Sequence, residues 1–275
     1  MSNTPYPTLA FVGAGNMARS ILGGLVQEGY PADRILASGR SKDKLTALAT
    51  DFGITTGSNH DVAEQADVVV LAVKPQGLKA VAEDLRPALN HNPLLISIAA
   101  GINVDALERW LGEHHAIVRC MPNTPSLVKT GASGLYANRN TSDTRRQQAE
   151  QILSAVGTVQ WLDDEALIDA VTAVSGSGPA YFFLVMEAMI DAGQRLGLDR
   201  EAATELTLQT ALGAATLARQ SDVDVAELRR RVMSPGGTTE AAIKSFEHDQ
   251  LRAVFERAMK ACAARAGELA RALDQ

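Results

Sequence analysis

Six consecutive apolar residues, Val68-Val69-Val70-Leu71-Ala72-Val73, constrain more than any other stretch what this chain can fold into. A strand with one wet face alternates apolar and polar side chains, whereas one that is apolar throughout must be covered on both sides. That cover comes from helices packed on the two faces of a parallel sheet. Comparable β-rich runs occur at 8–12, 34–38, 94–98, 116–120, 133–137 and 158–161. Amphipathic stretches at 16–28, 42–51, 78–89 and 141–155 lie between several of them. This alternation predicts a doubly wound α/β domain over residues 1–162.

Beyond Asp163 the period changes. Ala, Leu, Glu and Arg at helical spacing dominate, and β-branched runs almost vanish. Helices are predicted at 164–174, 180–196, 200–220, 225–231, 239–248 and 251–273, with Asp199 and Asp249 as N-caps and Gly197 as a stop. Residues 163–275 therefore read as an all-helical domain. The run Ala180-Tyr181-Phe182-Phe183-Leu184-Val185-Met186 is apolar nearly all round. In a small domain such a helix needs cover on several sides, which a second copy of the chain can supply, so a homodimer is expected.

Composition excludes several classes. With 46% hydrophobic and 21% charged residues, the chain is globular rather than disordered. A net charge of −6 disfavours a nucleic-acid partner, and Arg229-Arg230-Arg231 beside Glu227 reads as a solvated helix face. The longest unbroken apolar run falls short of a membrane span, and no basic segment precedes the first apolar run. A cytoplasmic location without membrane attachment is expected. Cys120 and Cys262 read as buried structural thiols, and the five histidines show no metal-ligand spacing.

The first strand runs into Gly13-Ala14-Gly15-Asn16-Met17-Ala18, a G-x-G-x-x-A turn at the start of a helix. Its first glycine permits the tight turn, its second lets backbone approach a pyrophosphate, and Ala18 allows helix to pack on strand. This is the fingerprint of a Rossmann-type dinucleotide-binding domain. The next strand ends Ser38-Gly39-Arg40-Ser41, without the acid that would hold a free ribose 2′-hydroxyl. A guanidinium and two hydroxyls suit a 2′-phosphate, so NADP is expected, with NAD possible. Ala72-Val73-Lys74-Pro75 and Ala99-Ala100 lie at the carboxyl ends of later strands, where ligands bind in open α/β sheets. Pro75 is expected to force an exit from regular structure, and Asn59 is counted with the cofactor residues.

Three further blocks are more specific: Arg119-Cys120-Met121-Pro122-Asn123-Thr124-Pro125, Thr172-Ala173-Val174-Ser175-Gly176-Ser177-Gly178-Pro179-Ala180-Tyr181, and Val232-Met233-Ser234-Pro235-Gly236-Gly237-Thr238-Thr239-Glu240. In kind, order and spacing they resemble the motifs of pyrroline-5-carboxylate reductases, and the resemblance covers essentially the whole chain. It implies reduction of Δ1-pyrroline-5-carboxylate, a small cyclic imino acid, to L-proline by hydride from a nicotinamide. Ser234, Gly237, Thr238 and Thr239 would hold the substrate carboxylate on free N–H groups and hydroxyls at a helix start. Thr239 would also stand near the reacting bond, and Glu165 and Thr172 would border the pocket. The imine nitrogen needs a proton, from solution or from a hydroxyl such as that of Thr239. A related imine or β-hydroxy-acid reductase, or a non-catalytic NADP sensor, remains the alternative.

Overall fold

The computed structural model describes residues 6–273. By contact density the chain forms two compact units. One runs up to Ser177 and takes in the chain again from Cys262; the other is Gly178–Ala261.

In the first unit, eight strands make one sheet in the order β3-β2-β1-β4-β5-β6-β7-β8. The strands are β1 (Leu9–Val12), β2 (Ile35–Ser38), β3 (Thr55–Gly57), β4 (Val68–Leu71), β5 (Leu94–Ser97), β6 (Ile117–Met121), β7 (Gly131–Ala137) and β8 (Gly157–Trp161). All neighbours pair parallel except β6 with β7. The strand order reverses between β1 and β4, the switch point at which doubly wound folds bind ligands. Residues Val68 to Leu71 are fully buried, as their composition required.

Helices α1 (Asn16–Gln27), α2 (Lys42–Phe52), α3 (Asn59–Glu64), α4 (Pro75–Leu85), α5 (Val104–Leu111) and α6 (Asp143–Ser154) connect the strands. Strands β1, β2, β4, β5 and β6 each divide their side chains between two buried clusters. Leu9, Phe11, Val68, Val70 and Ile96 pack with Ile21 and Leu25 of α1 and Ile152 of α6. Ala10, Val12, Val69, Leu71 and Leu95 pack with Leu78 and Leu85 of α4 and Leu107 and Trp110 of α5. This period-two division in apolar strands is the signature of a sheet covered on both faces.

Three short elements lie outside the sequence expectation. β3 is an exposed edge strand of three residues, α3 has six and α5 eight. Each is too short for periodicity to register, but the caps were legible. Ser58 and Asp61 form a reciprocal capping box on α3, and the Asn103 side chain accepts from Ala106 N–H at 2.8 Å on α5. Pro75 also corrects an expectation, because it opens α4 at its first position instead of interrupting structure. Its fixed φ and missing N–H suit that place.

After β8 the chain forms α7 (Leu167–Val171), which runs into a π-helical turn, Thr172–Gly176. The second unit holds α8 (Gly178–Arg195), α9 (Arg200–Gln220), α10 (Val225–Arg231), α11 (Thr238–His248) and the first turns of α12 (Leu251–Leu273). Asp199 caps α9 by accepting from Ala202 N–H at 2.7 Å, and Gly197, at φ 104°, closes α8. Asp249 does not cap α12; it ends α11, and Gln250 at φ 56° turns the chain between the two helices. The compact units thus divide elsewhere than the change of period near 162, because the segment up to Ser177 packs on β7 and the end of α12 returns to the sheet unit.

Among the described residues of the second unit only Gly178, Ala203 and Thr207 are buried. Phe182, Phe183, Leu184, Leu206 and Leu212 are all more than half exposed. The stretch Leu167–Arg195 is long and apolar enough to cross a membrane by length and composition. That amends the sequence expectation, which considered unbroken apolar runs and so overlooked a longer stretch interrupted by polar residues and a few charges such as Asp169 and Glu187. Cys120 is buried, and burial pushes its thiol up to about 12. Cys262 is only half-buried, its sulfur 3.2 Å from the Ser177 hydroxyl.

Candidate active site

A cavity of about 780 Å³ opens at the carboxyl ends of β1, β2 and β4. It is lined by nine of the predicted cofactor residues: Gly13, Ala14, Gly15, Arg40, Ser41, Asn59, Ala72, Val73 and Lys74. Gly13 has φ 114°, and a Cβ there would lie 2.5 Å from the Ala72 carbonyl oxygen. The turn therefore needs glycine for its own packing. Gly15 differs: the nearest atom to a Cβ would be 3.9 Å away, so nothing in the chain requires the side chain to be absent. Gly15 is also the N-cap of α1 and offers no side-chain cap, which leaves the first N–H groups of that helix open to a ligand. The free space and the open donors together fit a pyrophosphate.

Asn16 and Met17 form the first turn of α1 beside this cradle. Arg40 and Ser41 are exposed at the open end of β2. Lys44, one turn into α2, lines the same cavity and was missed by sequence reading, as were Gln76 and Gly77 in the first turn of α4. A signal for Lys44 existed: a second cation within one helical turn of Arg40 doubles the positive charge available to a phosphate. The expectation for Ser38 is corrected. It is fully buried in β2 and its hydroxyl has no partner, so only its carbonyl, which accepts from Gly13 N–H at 2.9 Å, shapes the turn. Ala99, nearly buried, and exposed Ala100 follow β5 and do not line this cavity.

Glu165 precedes α7. Its Oε1 accepts from Arg119 Nη1 at 2.8 Å and from Val104 N–H at 2.8 Å. Thr172 opens the π turn, with its hydroxyl donating to the Ile168 carbonyl at 2.9 Å, and Ser177 N–H closes the wide turn on the Thr172 carbonyl at 2.8 Å. Such π turns are uncommon and concentrate at functional sites. The turn is held from outside by Asn123, whose side-chain amide donates to the Ser175 carbonyl at 3.0 Å.

In the second unit, residues 234–237 lead into α11. Gly236 lies at φ 73°, Gly237 N–H donates to the Ser234 carbonyl at 2.9 Å, and Gly237 is an N-cap without a capping side chain. The first-turn N–H groups of Thr238 and Thr239 therefore stand open beside the hydroxyls of Ser234, Thr238 and Thr239, a donor-rich setting for a small carboxylate. Glu240 secures the loop by accepting from Gly236 N–H at 2.6 Å. Its bonds from Lys244 and from that amide hold its carboxyl below the usual range. Among the described residues no cluster of His, Cys, Asp or Glu is arranged to hold a metal.

The strand order, the glycine cradle at its switch point and the cations at the end of β2 define a nicotinamide-dinucleotide oxidoreductase fold. Residues 8–101 match a model of NADP oxidoreductases of the coenzyme F420-dependent kind, and residues 165–269 match a model of pyrroline-5-carboxylate reductase dimerisation. A pyrroline-5-carboxylate reductase of Pseudomonas aeruginosa is 58% identical over 270 residues, covering 98% of this chain and 99% of that protein. Among solved structures, a pyrroline-5-carboxylate reductase from Coxiella burnetii superposes with a TM-score of 0.94 at 47% identity, covering 96% of this chain and 99% of that one. The Plasmodium falciparum pyrroline carboxylate reductase with NADP bound gives 0.85 at 32% identity, covering 98% and 99%. The chain belongs to the pyrroline-5-carboxylate reductase family.

Proposed function

We propose that the chain reduces Δ1-pyrroline-5-carboxylate to L-proline with NADPH, the last step of proline biosynthesis. The observation that carries this reading is the 58% identity with a reductase of that name across 98% of the chain, with cradle and loop motifs intact. NADPH, when bound, supplies the hydride; the protein supplies placement. Gly13, Ala14, Gly15, Asn16 and Met17 hold the pyrophosphate, and Arg40, Ser41 and Lys44 hold the 2′-phosphate. Asn59, Ala72, Val73, Lys74, Pro75, Ala99 and Ala100 complete the cofactor surface.

Ser234, Gly237, Thr238 and Thr239 hold the substrate carboxylate, which fixes the ring so that the imine carbon is presented in one orientation. Thr239 stands nearest the reacting bond, and Glu165 and Thr172 border the ring. Residues 1–162 serve the cofactor, and residues 163–275 serve the substrate and dimer formation. The exposed apolar side chains of α8 and α9 are covered by a second copy of the chain, which operates in the cytoplasm without nucleic-acid or membrane partners.

The deciding experiment follows NADPH oxidation with pyrroline-5-carboxylate, then with other cyclic imines and with keto acids. Turnover confined to pyrroline-5-carboxylate is expected. Preference for another imine or a keto acid would reassign the substrate, and turnover with none would leave only a cofactor-binding protein.

A further inference from the structure

The second half of α12 belongs to the sheet unit, and one face of it is covered there. Cys262, Ala266, Ala270 and Leu273 are partly buried, a spacing of three and four that marks one side of a helix, while Arg265, Glu268 and Arg271 are exposed. This seam ends on Gly101, in the loop after β5. Gly101 lies at φ 76°, and a Cβ there would stand 3.4 Å from Leu273 Cδ1 and 3.6 Å from the Ala270 nitrogen. Leu273 also packs against the buried cluster that holds Ala99 and Ile102. The loop is thus pinned by buried residues on either side, with α12 against its middle and Ala100 left at the surface.

That loop adjoins the cofactor cavity within the same unit. β5 lies beside β4, and Ile98 N–H donates to the Leu71 carbonyl at 3.2 Å. The residue after Leu71, Ala72, is part of the cavity wall. Past the loop, Val104 N–H is held by Glu165 Oε1 at 2.8 Å, so the start of α5 is fixed as well. The two halves of a nicotinamide dinucleotide differ in what can hold them. The phosphates offer charge to open N–H groups and cations, whereas the nicotinamide offers a flat ring whose orientation depends on the shape of the surface beneath it.

We propose that the last turn of α12 is a positioning element for the nicotinamide half of the cofactor, with Ala270 and Leu273 holding the Ala99–Gly101 loop on which that half rests. The proposal rests on the place given above to Ala99 and Ala100 in the cofactor surface. Ala270 and Leu273 act through the loop. Loosening them frees the ring while the phosphates stay anchored, so orientation is lost before affinity.

The test pairs NADPH with 2′-phospho-ADP-ribose, the same molecule without its nicotinamide. Leu273→Ala is expected to bind 2′-phospho-ADP-ribose as wild type does, by calorimetry, which also reports an intact fold. It should dim the fluorescence of bound NADPH and lower kcat with pyrroline-5-carboxylate roughly tenfold, with a much smaller change in the KM for NADPH. A chain ending at Arg271 should repeat this result, and Leu273→Met, which conserves volume, should behave as wild type. Equal loss of both ligands would make the end of α12 a support of the fold only, and unchanged kcat and fluorescence would remove it from the site; either overturns the proposal. Ala100→Glu tests the surface itself and is expected to lower kcat and fluorescence without α12 being touched. No effect there would withdraw the cofactor role of the loop, and the proposal with it.

Discussion

Arg40 carries the choice of cofactor. It is exposed at the end of β2, on the wall of the cavity and one helical turn from Lys44, and no acid competes for the ribose there. Arg40→Ala should raise the KM for NADPH roughly tenfold, the value of one charge-assisted phosphate contact, with far less effect on NADH. Steady-state kinetics with both cofactors checks this, and equal changes would show that Arg40 does not read the phosphate. Arg40 was visible in the sequence because it replaces an acid at a known place after a strand. Lys44 stands close enough to Arg40 in the sequence to be suspected, but that it lines the cavity depends on α2 turning it that way. His115 makes a second residue-scale prediction. It is buried with Nδ1 3.1 Å from Asn92 Oδ1, and burial, with help from His114 and Arg145, lowers its pKa from 6.5 to about 4. Between those values the unfolded chain binds a proton that the folded chain refuses. The stability contributed by neutral His115 is therefore complete above pH 6.5 and is lost as pH falls toward 4. Denaturation midpoints across that window should decline in wild type and flatten in His115→Gln; parallel slopes would exclude His115 as the cause.

The turn between β1 and α1 shows how one element serves two masters. Gly13 is required by its positive φ and by the Ala72 carbonyl, whereas Gly15 is required by nothing in the chain. Gly13→Ala should destabilise the fold by at least ~2 kcal/mol through backbone strain and overpacking. Gly15→Ala should leave the melting temperature of the free protein nearly unchanged yet weaken NADPH binding, since its Cβ would occupy ligand space. Melting curves with and without NADPH separate the two, and a large loss of stability in Gly15→Ala would show that the cradle is structural. Long elements were legible because burial repeats along them: α9 and α10 begin and end where period and caps placed them. β3, α3 and α5 were not, because three to eight residues carry too few repeats. The π turn at Thr172–Gly176 had no sequence signal beyond Ser175 and Gly176, since its shape is set by Asn123 reaching across from another element.

At the scale of the whole molecule, the unit Gly178–Ala261 lacks a core of its own. Three buried residues cannot offset the entropy of ordering five helical segments. Phe182, Phe183 and Leu184 on α8 present an apolar face wide enough to demand a partner. Light scattering at low micromolar concentration should find a dimer or a higher homo-oligomer. Phe183→Glu, which places a charge in that face, should weaken association roughly 100-fold or more. A monodisperse wild-type monomer would contradict the proposed assembly. The family model for residues 165–269 describes dimerisation, which agrees with the apolar composition of this stretch.

The sequence alone determined the covered parallel sheet, the helical second half, the glycine cradle and the reductase motifs, because each is written in consecutive or periodic residues whose physics is local. Tertiary structure alone decided that Arg119 meets Glu165, that Asn123 holds the π turn, that Ser38 is withdrawn from solvent, and that the end of α12 returns to the sheet unit. Those facts depend on which strand lies beside which and on where a side chain ends once the sheet has twisted. Spacing along the chain cannot carry that information, because a contact between residues 46 apart leaves no period to read.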